Sequence, residues 1–350
     1  MIALVTGSQG LVGSESVNFL IYKGLDVIGI DNDRRKYFFG EQASTENVKK
    51  ELLKYKHRYK HKSVDIRSYS GLEKIFKEYG KDIALIIHAA AQPSHDWAIK
   101  EPHTDFNINA VGTLNLLELT KIYSNQAVFI QVSTNKVYGD TPNRLPLRET
   151  ETRYEIETSH DYYYGIDEKM SIDNSVHSLF GVSKCAGDLL AQEYGKNIGL
   201  KTGIFRAGCI TGPNHAGAEL HGFLNYLVKA NIEKIPYTIY GYKGKQVRDN
   251  IHSYDLVNCF WHFYELPKKG EVYNIGGGRY NSCSILEAIK IIEDYTKVQM
   301  NYTIKEQNRV GDHQWYISNL GKLYTHFDWE IKYTLKETIR EIVGRYKWKI

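Results

Sequence analysis

The residues best able to do chemistry lie in a few short strings. The first is Thr6-Gly7-Ser8-Gln9-Gly10-Leu11-Val12-Gly13, which follows the apolar run Ile2 to Val5 and leads into a stretch of helical period. Its glycines have separate tasks. Gly7 permits a tight turn, Gly10 lets a pyrophosphate come against the backbone, and Gly13 lets the helix pack close to the strand. Gln9, Leu11 and Val12 complete a loop that presents the positive end of the helix to phosphate groups. Asp31, about 18 residues beyond Gly13, stands with Asn32 where a carboxylate accepts hydrogen bonds from ribose hydroxyls. A carboxylate there repels a 2′-phosphate and favours NAD over NADP, whereas Arg34 and Arg35 pull the other way. Asp65 and Ile66 are expected at the end of a third strand, within reach of adenine. Ala89, Ala90 and Ala91 follow a fourth strand, small enough for a cofactor to approach. The bland alternative is an α/β protein with no cofactor.

These residues need a frame to hold them. Candidate strands at 2–6, 26–30, 62–66, 84–89, 128–133 and 202–206 alternate with helical stretches near 11–23, 45–57, 70–79, 105–123 and 180–197. Such alternation predicts an α/β, Rossmann-like doubly wound parallel sheet covered by helices on both faces. After about 207 the pattern loosens, with loop-like strings at 212–215 and 241–245 and helices near 282–296 and 333–346. The expected division is a cofactor domain over 1–206, with a soft, partly interleaved boundary, and a smaller lobe over 207–350 that takes the substrate.

Composition narrows the function classes. At 350 residues, with 25% charged and 42% hydrophobic residues and a formal charge of +4, the chain reads as an ordinary globular protein. The basic run Lys49 to Lys62 carries Leu52, Leu53, Tyr55 and Tyr59 at near-helical spacing, so a solvated amphipathic helix is expected there and no nucleic-acid site. Four scattered cysteines contain no C-x-x-C pair, which argues against a zinc site or disulfide framework, and no metal site is expected. With no leader and no apolar run near the ~20 residues of a membrane span, a cytoplasmic location off the membrane is expected.

A second set of strings carries a resemblance. Ser133-Thr134-Asn135-Lys136-Val137-Tyr138-Gly139-Asp140, with Asn109 before it and Lys184 after it, resembles the extended short-chain dehydrogenase/reductase family. The resemblance implies that Thr134 binds the reacting sugar oxygen and that Lys184 binds the nicotinamide ribose. Asn109 joins the cofactor site, and the cofactor is NAD, tightly bound. In sugar 4,6-dehydratases of that family an Asp-Glu pair follows the threonine, because eliminating water needs an acid and a base. Asn135 and Lys136 stand here instead, and Asn135 is assigned to substrate binding. The same strings, with Gly244 to His252 and Tyr273 to Gly277, are similar to the CDP-paratose 2-epimerase branch. That likeness implies a CDP-linked sugar as partner, Arg248 and Arg309 on the diphosphate, and a homo-oligomer. The expected reaction is epimerisation at C2 through a transient 2-keto sugar.

One position departs from the pattern. In His177-Ser178-Leu179-Phe180-Gly181-Val182-Ser183-Lys184 the resemblance puts the catalytic tyrosine at Phe180, and phenylalanine cannot move a proton. Three readings stand: a substitution made to trap a complex, a natural branch with another base, and a protein that binds without turning over. For the second, His95 in Gln92-Pro93-Ser94-His95-Asp96-Trp97 is the preferred base, since imidazole titrates near neutrality. Tyr163, Tyr164, Asp173 and His177 are further candidates. A nucleotide-sugar oxidoreductase releasing reduced cofactor and a silent NAD- and nucleotide-sugar-binding protein remain the alternatives to an epimerase.

Overall fold

A computed structural model describes residues 1–213 and 222–347. The chain divides into two compact units. The first comprises 1–137, 179–206 and 257–273, and the second comprises 138–178, 207–256 and 274–350. Of the loop expected at 212–215, Asn214 and His215 lie outside the described residues.

The first unit is built on a seven-stranded sheet. Its strands β1 (Ile2–Thr6), β2 (Asp26–Ile30), β3 (Tyr59–Lys62), β4 (Ile83–His88) and β5 (Val128–Thr134) are joined by Lys201–Ala207 and Glu271–Ile275. The order across the sheet is Glu271–Ile275, Lys201–Ala207, β5, β4, β1, β2, β3. The pairs from β3 through β5 are all parallel. The order reverses direction at β1, so the loops after β1 and β4 open at the carboxyl ends, where doubly wound sheets bind ligands. Leu4, Ile28, Ile86 and Phe129 are essentially without solvent contact and form the apolar centre. Each contributes about 1.5–3 kcal/mol by leaving water.

Eight helices cover this sheet: α1 (Leu11–Tyr22), α2 (Arg34–Phe39), α3 (Glu46–Leu53), α4 (Tyr69–Tyr79), α5 (His95–Lys100), α6 (Pro102–Phe106), α7 (Gly112–Tyr123) and α8 (Leu179–Lys196). Between α6 and α7 the backbone widens into a π turn over Asn107–Val111, a feature that re-aims side chains and often marks a site. Segment 257–273 joins this unit because Phe205 packs against Phe260, Phe263 and Tyr273 at centroid separations of 5.0, 5.6 and 5.3 Å.

Two expectations are corrected. The third strand is Tyr59–Lys62, not 62–66, so Asp65 and Ile66 lie beyond it. The basic run is helical only through Leu53; Leu52 is buried, Leu53 and Tyr55 are exposed, and Tyr59 has turned inward on β3. The four apolar residues therefore never formed one stripe. Pairing with β2 gave Tyr59 a deeper burial than a surface helix offers.

The second unit has smaller sheets. Val247–His252 pairs with Cys209–Thr211, Ser282–Ser284 and Trp315–Tyr316, and Tyr237–Tyr240 pairs with Tyr302–Lys305. The helix expected from 282 begins at Ile285, where Ser284 and Glu287 form a capping box. Segment 138–178 belongs to this unit through Tyr138, whose hydroxyl donates to Asn274 Oδ1 at 2.8 Å, and through a bridge between Ile166 and Ser318.

Candidate active site

The glycine loop is held from within. Gly7 has φ +66°, a conformation that disfavours a side chain, and a Cβ on Gly13 would lie 2.0 Å from the Gly7 carbonyl oxygen. A Cβ on Gly10 would meet only that same oxygen, at 3.3 Å, so this face of the loop is open to a group the size of a phosphate. Gly10 is the N-cap of the twelve-residue α1 and offers no capping side chain. The first N–H groups of α1 are thus left for an anion.

Asp31, the residue after β2, accepts from Gln9 N at 3.0 Å and from Asp33 N at 2.9 Å. A carboxylate has about four acceptor sites, so it retains capacity for ribose hydroxyls. Burial raises its pKa, against the backbone hydrogen bonds that favour the anion. Gln9 also approaches His61 Nδ1 at 3.3 Å and accepts from Thr45 at 2.9 Å, which ties the loop to the sheet edge.

Asp65 is engaged by protein groups. Arg67 donates to both of its oxygens, at 2.9 and 2.8 Å, and Asn32 donates at 3.0 Å. Ile66 is buried under Gly112, where a Cβ would come within 2.6 Å of its Cδ1. Arg34 stacks on Tyr37 and lies 3.8 Å from Asp65, while Arg35 stacks on Phe39. Ala89, Ala90 and Ala91 are half-buried beyond β4, and the Ala90 backbone lies 2.8 Å from where a Gly7 Cβ would sit. These features fit NAD: open phosphate end, carboxylate at the ribose position, small residues at the strand ends.

Around Lys184 the side chains form a connected network. Its ammonium donates to the Val132 carbonyl at 2.8 Å, two residues before Thr134. Burial lowers its pKa to about 8, with the charges of Asp188 and Asp105 pulling upward. Thr134 is half-buried at the end of β5, and its hydroxyl makes only long contacts, 3.4 Å to Asn135 Oδ1 and 3.3 Å from Lys136 N. Asn109, on the π turn, donates to the Gln92 carbonyl at 3.1 Å, Asp105 at 3.0 Å and Ser183 Oγ at 3.0 Å, and accepts from Gln92 N at 2.9 Å.

Phe180, on the first turn of α8, is buried, and its ring meets that of His95 at 4.9 Å and 62°. His95 is the first residue of α5, whose N-cap Ser94 accepts from Trp97 N at 3.3 Å. The first unit therefore brings His95 against Phe180, and Lys184 against the strand that ends at Thr134. Sequence reasoning missed Gln92, Asp105 and Ser183 as their supports. One signal was present: Asp105 and Asn109 are four residues apart in a helical stretch, a spacing that puts both on one face.

Arg248 lies in the second unit on Val247–His252. One terminal nitrogen donates to the Val247 carbonyl at 2.8 Å and the other pairs with Asp312. Arg309 is exposed and stacks on Tyr240 at 4.6 Å. Tyr163 carries Arg279 over its ring at 3.8 Å, Tyr164 and Asp173 are exposed, and His177 contacts Ser175 at 3.4 Å. His252 contacts Glu341 at 3.2 Å and Asp255 accepts from Lys332 N and Tyr333 N at 3.1 and 3.0 Å, both structural roles.

Comparison with known proteins adds to this geometry. The chain is 33% identical to CDP-paratose 2-epimerase of Salmonella typhi, over 99% of this chain and 98% of that protein. It is 26% identical to dTDP-glucose 4,6-dehydratase of Salmonella typhimurium, over 98% and 92%. Among solved structures it resembles Thermus thermophilus UDP-glucose 4-epimerase in complex with NAD, with a TM-score of 0.79, 24% identity and full coverage of both chains. Residues 3–276 match the NAD dependent epimerase/dehydratase family. With the glycine loop, Asp31 and the parallel sheet, this match establishes that the chain belongs to the NAD-dependent epimerase/dehydratase family of extended short-chain dehydrogenases/reductases.

Proposed function

We propose that the protein inverts C2 of a nucleotide-linked hexose, with CDP as the nucleotide, by transient oxidation to a 2-keto sugar. The observation carrying this reading is the end-to-end similarity to a CDP-paratose 2-epimerase. Asn135 and Lys136 argue against the dehydratase alternative, since neither supplies a carboxyl group for eliminating water.

A sugar C2–H beside an ordinary alcohol is not acidic, so simple deprotonation does not invert it. When bound, tightly held NAD supplies a reversible hydride acceptor. Gly7 to Gly13 would receive its pyrophosphate and Asp31 its ribose. Thr134 hydrogen-bonds the sugar oxygen at the reacting carbon. Lys184 places a positive charge, fixed by the Val132 carbonyl, where negative charge develops on that oxygen. Arg248 and Arg309 hold the diphosphate, for which guanidinium geometry is suited.

The test is incubation with CDP-paratose and CDP-glucose in D₂O, followed by proton NMR and by the near-ultraviolet absorbance of reduced nicotinamide. A 2-epimer free of solvent deuterium at C2 is expected, because the same hydride leaves and returns. Deuterium at C2 sinks the oxidation route, and accumulating reduced cofactor means a net oxidoreductase. Silence with NAD and CDP still bound is the binding-protein reading, which Phe180 favours.

A further inference from the structure

We infer that His95 is the acid/base of this enzyme, taking the role that Phe180 leaves vacant. The inference rests on the proposed oxidation of a sugar alcohol and goes further by naming where its proton goes. Removing hydride from a carbinol carbon also requires removing the hydroxyl proton. Thr134 is a neutral hydroxyl, far too weak a base to take that proton. Lys184 is committed to the Val132 carbonyl as a cation.

Three observations single out the imidazole. First, its ring is in direct contact with the Phe180 ring, at 4.9 Å between centroids, so it borders the place a tyrosine would serve. Second, it is half-buried, as are Tyr163 and His177, whereas Tyr164 and Asp173 are exposed; of these candidates it is the one seen in ring contact with Phe180 among the described residues. Third, the backbone directly before it is held by a chain of hydrogen bonds reaching the turn of α8 that carries Phe180 and Lys184. Gln92 Nε2 donates to the Ser94 carbonyl at 2.8 Å and to Asp105 at 2.7 Å, and Asn109 ties Gln92 and Asp105 to Ser183. Ser94 then caps α5 directly before His95. Such a braced geometry is what proton transfer needs and what a surface side chain lacks.

The step balances. NAD, when bound, would supply the two-electron acceptor that takes hydride from C2 and returns it to the other face. His95 would take the proton of the O–H bond that breaks on a ring nitrogen and, as imidazolium, give it back to the oxygen when the alcohol re-forms. The helices packed on α5 carry His103 and Asp105 on α6 and Lys184 on α8, and α5 itself carries Asp96 and Lys100. Their charges are of both signs.

The test uses the NAD-loaded protein, His95→Gln, Phe180→Tyr and the double variant, with CDP-paratose, CDP-glucose, UDP-glucose and dTDP-glucose. His95→Gln is expected to lose about 10²–10⁴ in turnover while CDP-glucose still binds. Adding Phe180→Tyr to His95→Gln is expected to recover most of that loss, which a merely structural histidine would not allow. Histidine-ring NMR is the second readout, with the His95 signals identified by their absence in His95→Gln. They are expected to titrate with the same midpoint as the pH–rate profile. A ring locked in one state across the range in which the rate changes overturns the inference, as does full turnover by His95→Gln. It is also overturned if the unsubstituted chain oxidises no sugar. In that last case, C2 inversion by Phe180→Tyr leaves the C2 reading standing. Conversely, inversion at another carbon with the same His95→Gln loss sinks the C2 reading and keeps His95 in its role.

Discussion

Each unit holds one partly or fully buried cation that the proposed function uses, and the two are neutralised in different ways. Lys184, in the first unit, is buried and rests on a backbone carbonyl, with no carboxylate in direct contact. Arg248, in the second, is paired with the carboxylate of Asp312. A buried ammonium without an ion pair pays in desolvation, and its pKa falls to about 8. Buried Arg206 of the first unit makes the point again, since Asp188 holds it by two bonds at 3.0 and 2.9 Å. The difference is that a carbonyl dipole alone meets the charge of Lys184, whereas a carboxylate meets that of Arg248. Under the proposed function an incoming phosphate would compete with that carboxylate.

The comparison can be broken most forcefully at Lys184. Lys184→Met should lower epimerisation by about 10²–10⁴, a loss expected when charge stabilisation is removed from a site. Thermal melting should show no loss of stability, because an apolar chain of similar volume replaces an unpaired buried charge. A large fall in melting temperature would make Lys184 a structural residue.

Arg248→Met should weaken CDP binding by about 10- to 100-fold, roughly one charge-assisted hydrogen bond or a little more. Calorimetry with CDP measures this, and unchanged affinity would reduce Arg248 to the partner of Asp312. Asp312→Asn sharpens the same contrast in the opposite direction. It frees the guanidinium from a competing anion, so CDP should bind more tightly, by less than the Arg248→Met change. Weaker binding would mean that Asp312 orients Arg248 instead of competing for it.

The smallest effects concern pH. Lys184 titrates at about 8 in the fold, below its ordinary 10.5, so its charge costs stability below about pH 8. That cost is relieved as pH rises from about 8 to 10.5, while turnover declines over the same rise. A pH–rate profile whose alkaline limb lies well above 8 would contradict this. His88 follows the same sign in a more acidic window: buried between Thr6 at 2.7 Å and Thr113 at 3.0 Å, its pKa falls to about 3. Its contribution is present above about 6.5 and is lost as pH falls toward 3, which acid unfolding of His88→Gln should flatten.

The legibility of the site tracks the range of its interactions. The glycine loop was readable because its requirements are local: a positive φ, a close approach and a helix start, all within eight residues. The β3 boundary was misread because Tyr59 can serve either a helix stripe or a strand, and only pairing with β2 decides. The bracing ahead of His95 was only partly legible, since Asp105 and Asn109 sit four residues apart but Ser183 joins them from 74 residues away.

By itself the sequence determined the α/β class, the NAD loop, the Thr134 and Lys184 strings and the absence of a tyrosine at Phe180. All are set by residue type and short-range spacing. Only the tertiary structure decided which histidine meets Phe180, which carbonyl holds Lys184 and which carboxylate holds Arg248. Those contacts form between segments whose meeting depends on how strands order themselves in a sheet, and strand order is a property of the whole core.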